Sequence, residues 1–222
     1  SVTLTSDGTN RTISGTGLIE ANTIAQSPNQ SLTGMTGALG SAVTGSPNLN
    51  LGNSSFPAGH ILQVLSTTKT STWSESVGSN AESGVISGFT LTIAASTTSN
   101  KILMRSVLNV GRTDSDVYSG VGVRPYLNGS LFTQGIGDAE GSRARVSSGQ
   151  SSTNSSTDWH PKLNVGEVLY TPGSTANQVF TFKLVNSRGA TSTLYLNRSG
   201  NTQDGFYTFR PASTITLMEI VA

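Results

Sequence analysis

The chain has 222 residues, 13 Lys and Arg against 12 Asp and Glu, a formal charge of +1 and no cysteine. Lack of cysteine removes disulfide frameworks, thiol nucleophiles and Cys-ligated zinc, and a charge near zero without a basic stripe argues against nucleic acid, which is held by phosphate neutralisation. No apolar run approaches the ~20 residues needed to span a bilayer, and residues 1–12 lack the basic stretch and apolar block of a secretory signal.

Only 11% of the residues are charged, against about 25% in ordinary soluble domains. Ser and Thr together make up 64 of 222 residues. Residues 1–55 carry three charges (Asp7, Arg11 and Glu20), no aromatic residue, and scattered apolar positions such as Leu18, Met35, Leu39 and Leu51. Gly recurs at 34, 37 and 40, but without proline or persistence this is not collagen. Such a segment buries little apolar surface alone, and ordering it costs about 1–2 kcal/mol per residue. It is either a flexible leader or an extended arm ordered against something else, and the spaced Leu, Met and Val favour the arm.

From Phe56 onward the apolar period is two. Ile61–Leu65 reads as a strand. Phe89, Leu91 and Ile93 alternate with threonines, and Ile102, Met104, Leu108 and Val110 share a face with Ser106 as its polar member. Further strands are expected over Val121–Leu127, Val165–Tyr170, Val179–Val185, Thr193–Leu196, Tyr207–Phe209 and Ile215–Val221. Between them stand turn signals: Asn128-Gly129, Pro172-Gly173, Arg188-Gly189 and Ser199-Gly200. Gly141–Asp158 reads as one long polar loop. No window sustains a helical period. Eight to ten short strands over residues 56–222 predict an all-β fold, an antiparallel β-sandwich, jelly-roll-like, behind an N-terminal arm of residues 1–55.

Catalytic chemistry finds little support. His60 and His160 are the only candidate bases, and no Gly-x-Ser-x-Gly elbow accompanies them. The close carboxylate pairs Asp114/Asp116 and Asp138/Glu140 could in principle serve glycoside cleavage. Each has arginines nearby, so surface ion pairing is the cheaper reading. Asp114-Ser115-Asp116 resembles the start of a calcium loop, but Tyr118 occupies the next alternate position and no suitably spaced Glu follows. No metal, cofactor or catalytic residue is therefore expected. Six Asn-x-Ser/Thr triplets follow from the composition and do not signal glycosylation. Aromatic residues in or beside polar loops (Trp73, Tyr118, Tyr126 and Trp159) suit either adhesive recognition or the closing of a core.

Phe56-Pro57-Ala58-Gly59-His60-Ile61-Leu62-Gln63-Val64, Gly88-Phe89-Thr90-Leu91-Thr92-Ile93, Tyr126-Leu127-Asn128-Gly129-Ser130 and the closing Ser213–Ile220 stretch resemble segments of marine bacteriophage tail-fibre and virion structural proteins. Met35-Thr36-Gly37 and Leu49-Asn50-Leu51 resemble the linker that precedes such domains. The similarity spans most of residues 33–222, is a pattern of short strands, and carries no catalytic residue. It implies a virion component on the tail or capsid exterior, usually a homotrimer, that self-associates and often contacts the host surface. Residues 1–55 would then dock on other virion proteins or on copies of the chain, and residues 56–222 would form a non-enzymatic knob. The expected function is a short tail fibre or spike, with a host-surface glycan or protein as partner and Asp114, Asp116, Tyr118, Trp159 and His160 as candidate contacts. Capsid or tail decoration is the alternative, and a glycan-degrading spike is the reading from another class.

Overall fold

In the computed structural model, residues 3–6, 11–14, 56–113, 119–151, 161–200, 205 and 208–222 are described. The chain divides into two compact units, Ser1–Asn53 and Ser54–Ala222. In the first, β1 (Thr3–Ser6) pairs antiparallel with β2 (Arg11–Ser14), with Leu4 opposite Ile13. A single apolar pair among hydroxyl residues gives almost no period by which to expect a strand here. The expected arm over residues 15–55 lies outside the described residues.

The second unit is all-β. Its strands are β3 (Ile61–Lys69), β4 (Trp73–Val77), β5 (Leu91–Ile93), β6 (Lys101–Arg112), β7 (Gly120–Leu127), β8 (Ser130–Leu131), β9 (Ser148–Ser151), β10 (Lys162–Tyr170), β11 (Gln178–Ser187), β12 (Ser192–Leu196) and β13 (Ser213–Ile220). Among the described residues the only helical element is a 3-10 turn, Thr133–Gly135. Two antiparallel sheets form a sandwich-like arrangement. The first orders β3-β13-β6-β12-β4, with β10 on the other edge of β6, and the second orders β5-β11-β7-β8, with β9 also on β7.

Strand β6 organises the first sheet. One of its edges pairs with β10 along its length, while the other is shared end to end by β13, over Lys101–Val107, and β12, over Val110–Arg112. At the junction, Asn109 N donates to Ser213 Oγ and Asn197 N donates to Asn109 O. The expected inward face of β6 is buried, Ser106 included. Across the core it meets Phe180, Phe182 and Leu184 of β11, all fully buried, with Phe89 tilted against Phe182. Phe132, Tyr170 and Phe180 close one side in edge-to-face contacts at 4.9–6.0 Å, a geometry that suits the ring quadrupoles. Burial pushes the Tyr170 hydroxyl up to about 12.

Some expectations change. The Gly141–Asp158 loop contains β9, which pairs with Val123–Gly120 of β7; its sequence Ser-Gly-Gln-Ser has no apolar alternation by which to find it. Trp73, beside its polar loop, opens β4 and packs on the core, the core-closing role of the two expected. Tyr126 lies, as expected, within the strand over Val121–Leu127, β7, and is buried. In the expected strand Tyr207–Phe209, Tyr207 falls outside the described residues and Phe209 is exposed and in no strand. The β7–β8 hairpin fulfils its signal: Asn128 and Gly129 both take positive φ, 49° and 80°, as a two-residue type I′ turn requires.

Candidate functional site

The strand directions give the sandwich two unlike ends. Strand β6 finishes at Arg112, β10 begins at Lys162 opposite Val110, and Ser151, Gly120 and Ser187 lie side by side across β9, β7 and β11. Thr113 N donates to Thr193 O, and the Gln150 amide reaches Leu163 O, so both sheets finish here together. The connections 114–118 and 152–160 are therefore anchored at this one end. At the opposite end, Gly59 N donates to Val221 O and Val221 N to His60 O. The chain thus enters and leaves the sandwich away from those connections. Asp114, Asp116, Tyr118, Trp159 and His160 all lie outside the described residues; what the structure brings together is the strand ends that carry their segments.

Further along the strands from that rim, the outer face of the second sheet holds a polar cluster. Register places Lys183 opposite Arg124 and Thr181 opposite Tyr126, and Glu82 bridges to Val185 on the adjoining edge. Glu82 accepts from Lys183 Nζ at 2.8 Å, Arg124 NH1 at 3.0 Å and the Tyr126 hydroxyl at 2.6 Å, while Lys183 Nζ stands 4.4 Å from the Tyr126 ring centre. Burial alone would raise the Glu82 pKa, but the hydrogen bonds from Lys183, Tyr126 and Arg124 outweigh it and hold the carboxyl below its ordinary range. Burial and then the Glu82 hydrogen bond raise Tyr126, and the same carboxylate raises Lys183 against the opposing effect of burial. Arg124 Nε also donates to Arg145 O, and Arg145 Nε to Gly137 O, fastening the segment that crosses this face.

Next to the cluster is a shallow depression of about 350 Å³. Gly120, Gly122 and Gly149 leave its floor free of side chains, and Val146, Val185, Ser187 and Arg143 wall it. At Gly122 an added Cβ would come within 2.5 Å of Val146 Cγ1, so this glycine is what lets the crossing segment lie down.

These groups are arranged to fasten. Glu82 is neutralised by two cations, and Glu140 pairs with Arg143 on the exposed surface. Asp138 and Glu140 stand in a loop. His60 stacks on Phe56, with ring centres 4.7 Å apart, in keeping with a packing role. Among the described residues no group of three or more His, Cys, Asp or Glu could hold a metal ion, and no helix is long and apolar enough to cross a membrane.

Sequence reading missed the buried asparagines. Asn197, at φ 61°, donates to Lys69 O and Ser71 O and accepts from Ser213 Oγ. Asn186 donates to Val77 O, Gly78 O and Ala190 O. Nothing in their neighbourhoods distinguishes them from the 16 Asn of the chain.

By fold, the second unit is an antiparallel β-sandwich. No family model and no curated protein matches the chain. Among solved structures it is similar to the infectious bursal disease virus VP2 subviral particle, at 16% identity over 72% of this chain and 37% of that one, with a TM-score of 0.33. A structure of the Gx strain of infectious bursal disease virus is similar at 14% identity over 74% of this chain and 38% of that one, with a TM-score of 0.34. The chain thus spans less than two fifths of either. At that distance no shared function follows.

Proposed function

We propose that this chain is a structural component of a bacteriophage virion, present in several copies, whose sandwich serves as an outward knob contacting the host surface without enzymatic activity. The observation that carries this reading is the polarity of the sandwich. The chain enters and leaves at one end, and the connections bearing Tyr118 and Trp159 are anchored at the other. That arrangement suits attachment at the base and recognition at the tip, where rigid aromatic rings among small hydrogen-bonding residues make adaptable contacts. A structural role is also favoured by how the acids are used. Glu82, Glu140, Glu167 and Glu219 each face a cation or hydrogen-bond donors within their own fold.

The full chain should adsorb to host cells and compete with phage attachment, and Trp159→Ala should weaken that adsorption at least tenfold. Failure of the chain to adsorb, with virion attachment intact, would favour the decoration reading. New reducing ends released from host polysaccharide, and lost on changing Asp138 or Glu140, would overturn the non-enzymatic reading.

A further inference from the structure

The outer face of the first sheet is unusually apolar for a surface. Leu163, Val165 and Leu169 of β10 are 44–52% exposed, and Ile61 and Val64 of β3 are 48% and 54% exposed. On β10 and β6 alternate residues turn into the core, Asn164, Gly166 and Tyr170 being buried with Ile102, Met104 and Ser106 opposite, and on β3 a register shift sets Ile61 opposite Ile220, on the same face as Val64. The register then aligns them in rows across the strands. One row runs Leu169, Leu103, Met218, Val64 and is apolar from edge to edge. The next holds Glu167 and Arg105, which pair at 3.8 Å, followed by Thr216 and Ser66.

We infer that this face seats a second copy of the chain, sheet against sheet. The inference rests on the multi-copy reading above and supplies its contact surface. The charge on the face favours a copy over an unlike partner. The Arg105–Glu167 pair at its centre is neutral as a unit, and Thr216 and Ser66 offer hydroxyls to its charged heads; the face's other charge, the exposed Lys101, stands in the end row beside Ile220, where a long side chain extends past the contact into water. A copy turned about an axis parallel to the strands, between β6 and β13, brings each row onto itself. Leu169 and Leu103 then meet Val64 and Met218 of the second copy. Four strands at ~4.8 Å spacing and about eight residues at ~3.3 Å give a flat footprint of roughly 500 Å². Side-chain relief brings this toward the ~800 Å² per partner of a stable interface. Exposed apolar side chains gathered on one face in this way, with polar rows between them, mark an interaction surface. The contact is two-fold, and so adds to the threefold association that the resemblance implies.

The test is the mass of the full chain, measured by light scattering after gel filtration over a dilution series. The expected mass is an even multiple of 23.0 kDa. Leu169→Asp and Val64→Asp, both at exposed positions, should each halve it or weaken association at least tenfold while leaving the circular dichroism spectrum unchanged. Val85→Asp, at an exposed apolar position on the other sheet's edge, should leave the mass as it is. An oligomer that persists in both face variants would overturn this inference and leave the multi-copy reading standing. A wild-type chain that is monomeric throughout would overturn both. Loss of incorporation into particles without any change in mass would place another virion protein on the face and overturn the inference.

Discussion

A carboxylate only 1% exposed must have its charge answered, and Glu219 is answered by neutral donors alone: Gln63 Nε2, Ser96 N, Ser96 Oγ and Asn100 Nδ2, all at 2.6–2.7 Å. Burial by itself would raise its pKa, but the hydrogen bonds from Asn100, Ser96 and Gln63 prevail and lower it. A carboxyl that titrates lower when folded contributes stability in full above the ordinary carboxylate range, and loses it as pH falls through the folded value. Glu219→Gln should therefore flatten the acid limb of the stability curve, measured by urea denaturation from neutral to acidic pH; Glu82, whose carboxyl is likewise held low, contributes to the slope that remains. Glu219→Ala should cost about 3 kcal/mol at neutral pH, because the donors lose a charged acceptor inside the fold. Backbone contact sets a second limit at this scale. A Cβ on Gly200 would fall on the Arg112 carbonyl, and one on Gly111 on the Arg198 carbonyl. Gly200→Ala should lower the melting temperature by several degrees or prevent folding, whereas Gly137→Ala, with open space around it, should do neither.

Between elements, hydroxyls and amides do what long charged side chains do elsewhere. Ser83 Oγ accepts from Leu184 N and donates to Gly84 O, and Ser147 Oγ donates to Val123 O, each continuing a ladder where regular pairing stops. The high Ser and Thr content thus has a structural use, because short side chains satisfy edge groups at little entropic cost. The two sheets are tied at one side by Glu219 reaching from β13 to the β5–β6 connection, and at the other by Gln150 reaching β10. On the second sheet, Glu82, Tyr126 and Lys183 form one unit, so their deletions should not add. A double-mutant cycle of Glu82→Gln and Tyr126→Phe should give a coupling of about 1 kcal/mol in unfolding free energy. Leu108→Ala, which opens a cavity at the fully buried centre of β6, should cost about 2–5 kcal/mol.

The whole sandwich is assembled from distant parts of the chain. Gln63 bonds Glu219 across 156 positions, Asn197 bonds Lys69 across 128, and Ser83 meets Leu184 across 101. Closing such loops comes before the contacts that reward it, so refolding should be slow, in the millisecond to second range by stopped-flow fluorescence of the two tryptophans. The same topology gives the molecule its polarity. Because β6, β10 and the β7–β9–β11 group all have strand ends at one rim, segments far apart in sequence are anchored together.

The amino-acid order by itself settled the fold class and most of the core. Alternation over 102–110 and 180–184 marks buried faces without reference to any partner, because a strand's two faces differ in every second residue. Asn128-Gly129 likewise fixes its own turn, since few other pairs tolerate two positive φ angles. Only the tertiary structure decided that Ser148–Ser151 is a strand, that Glu82 and Glu219 are fasteners, and that Leu103, Leu169, Met218 and Val64 form one row. Those facts depend on which strand lies beside which, and a short polar strand or a lone buried carboxylate leaves no periodic trace of its partner in the chain.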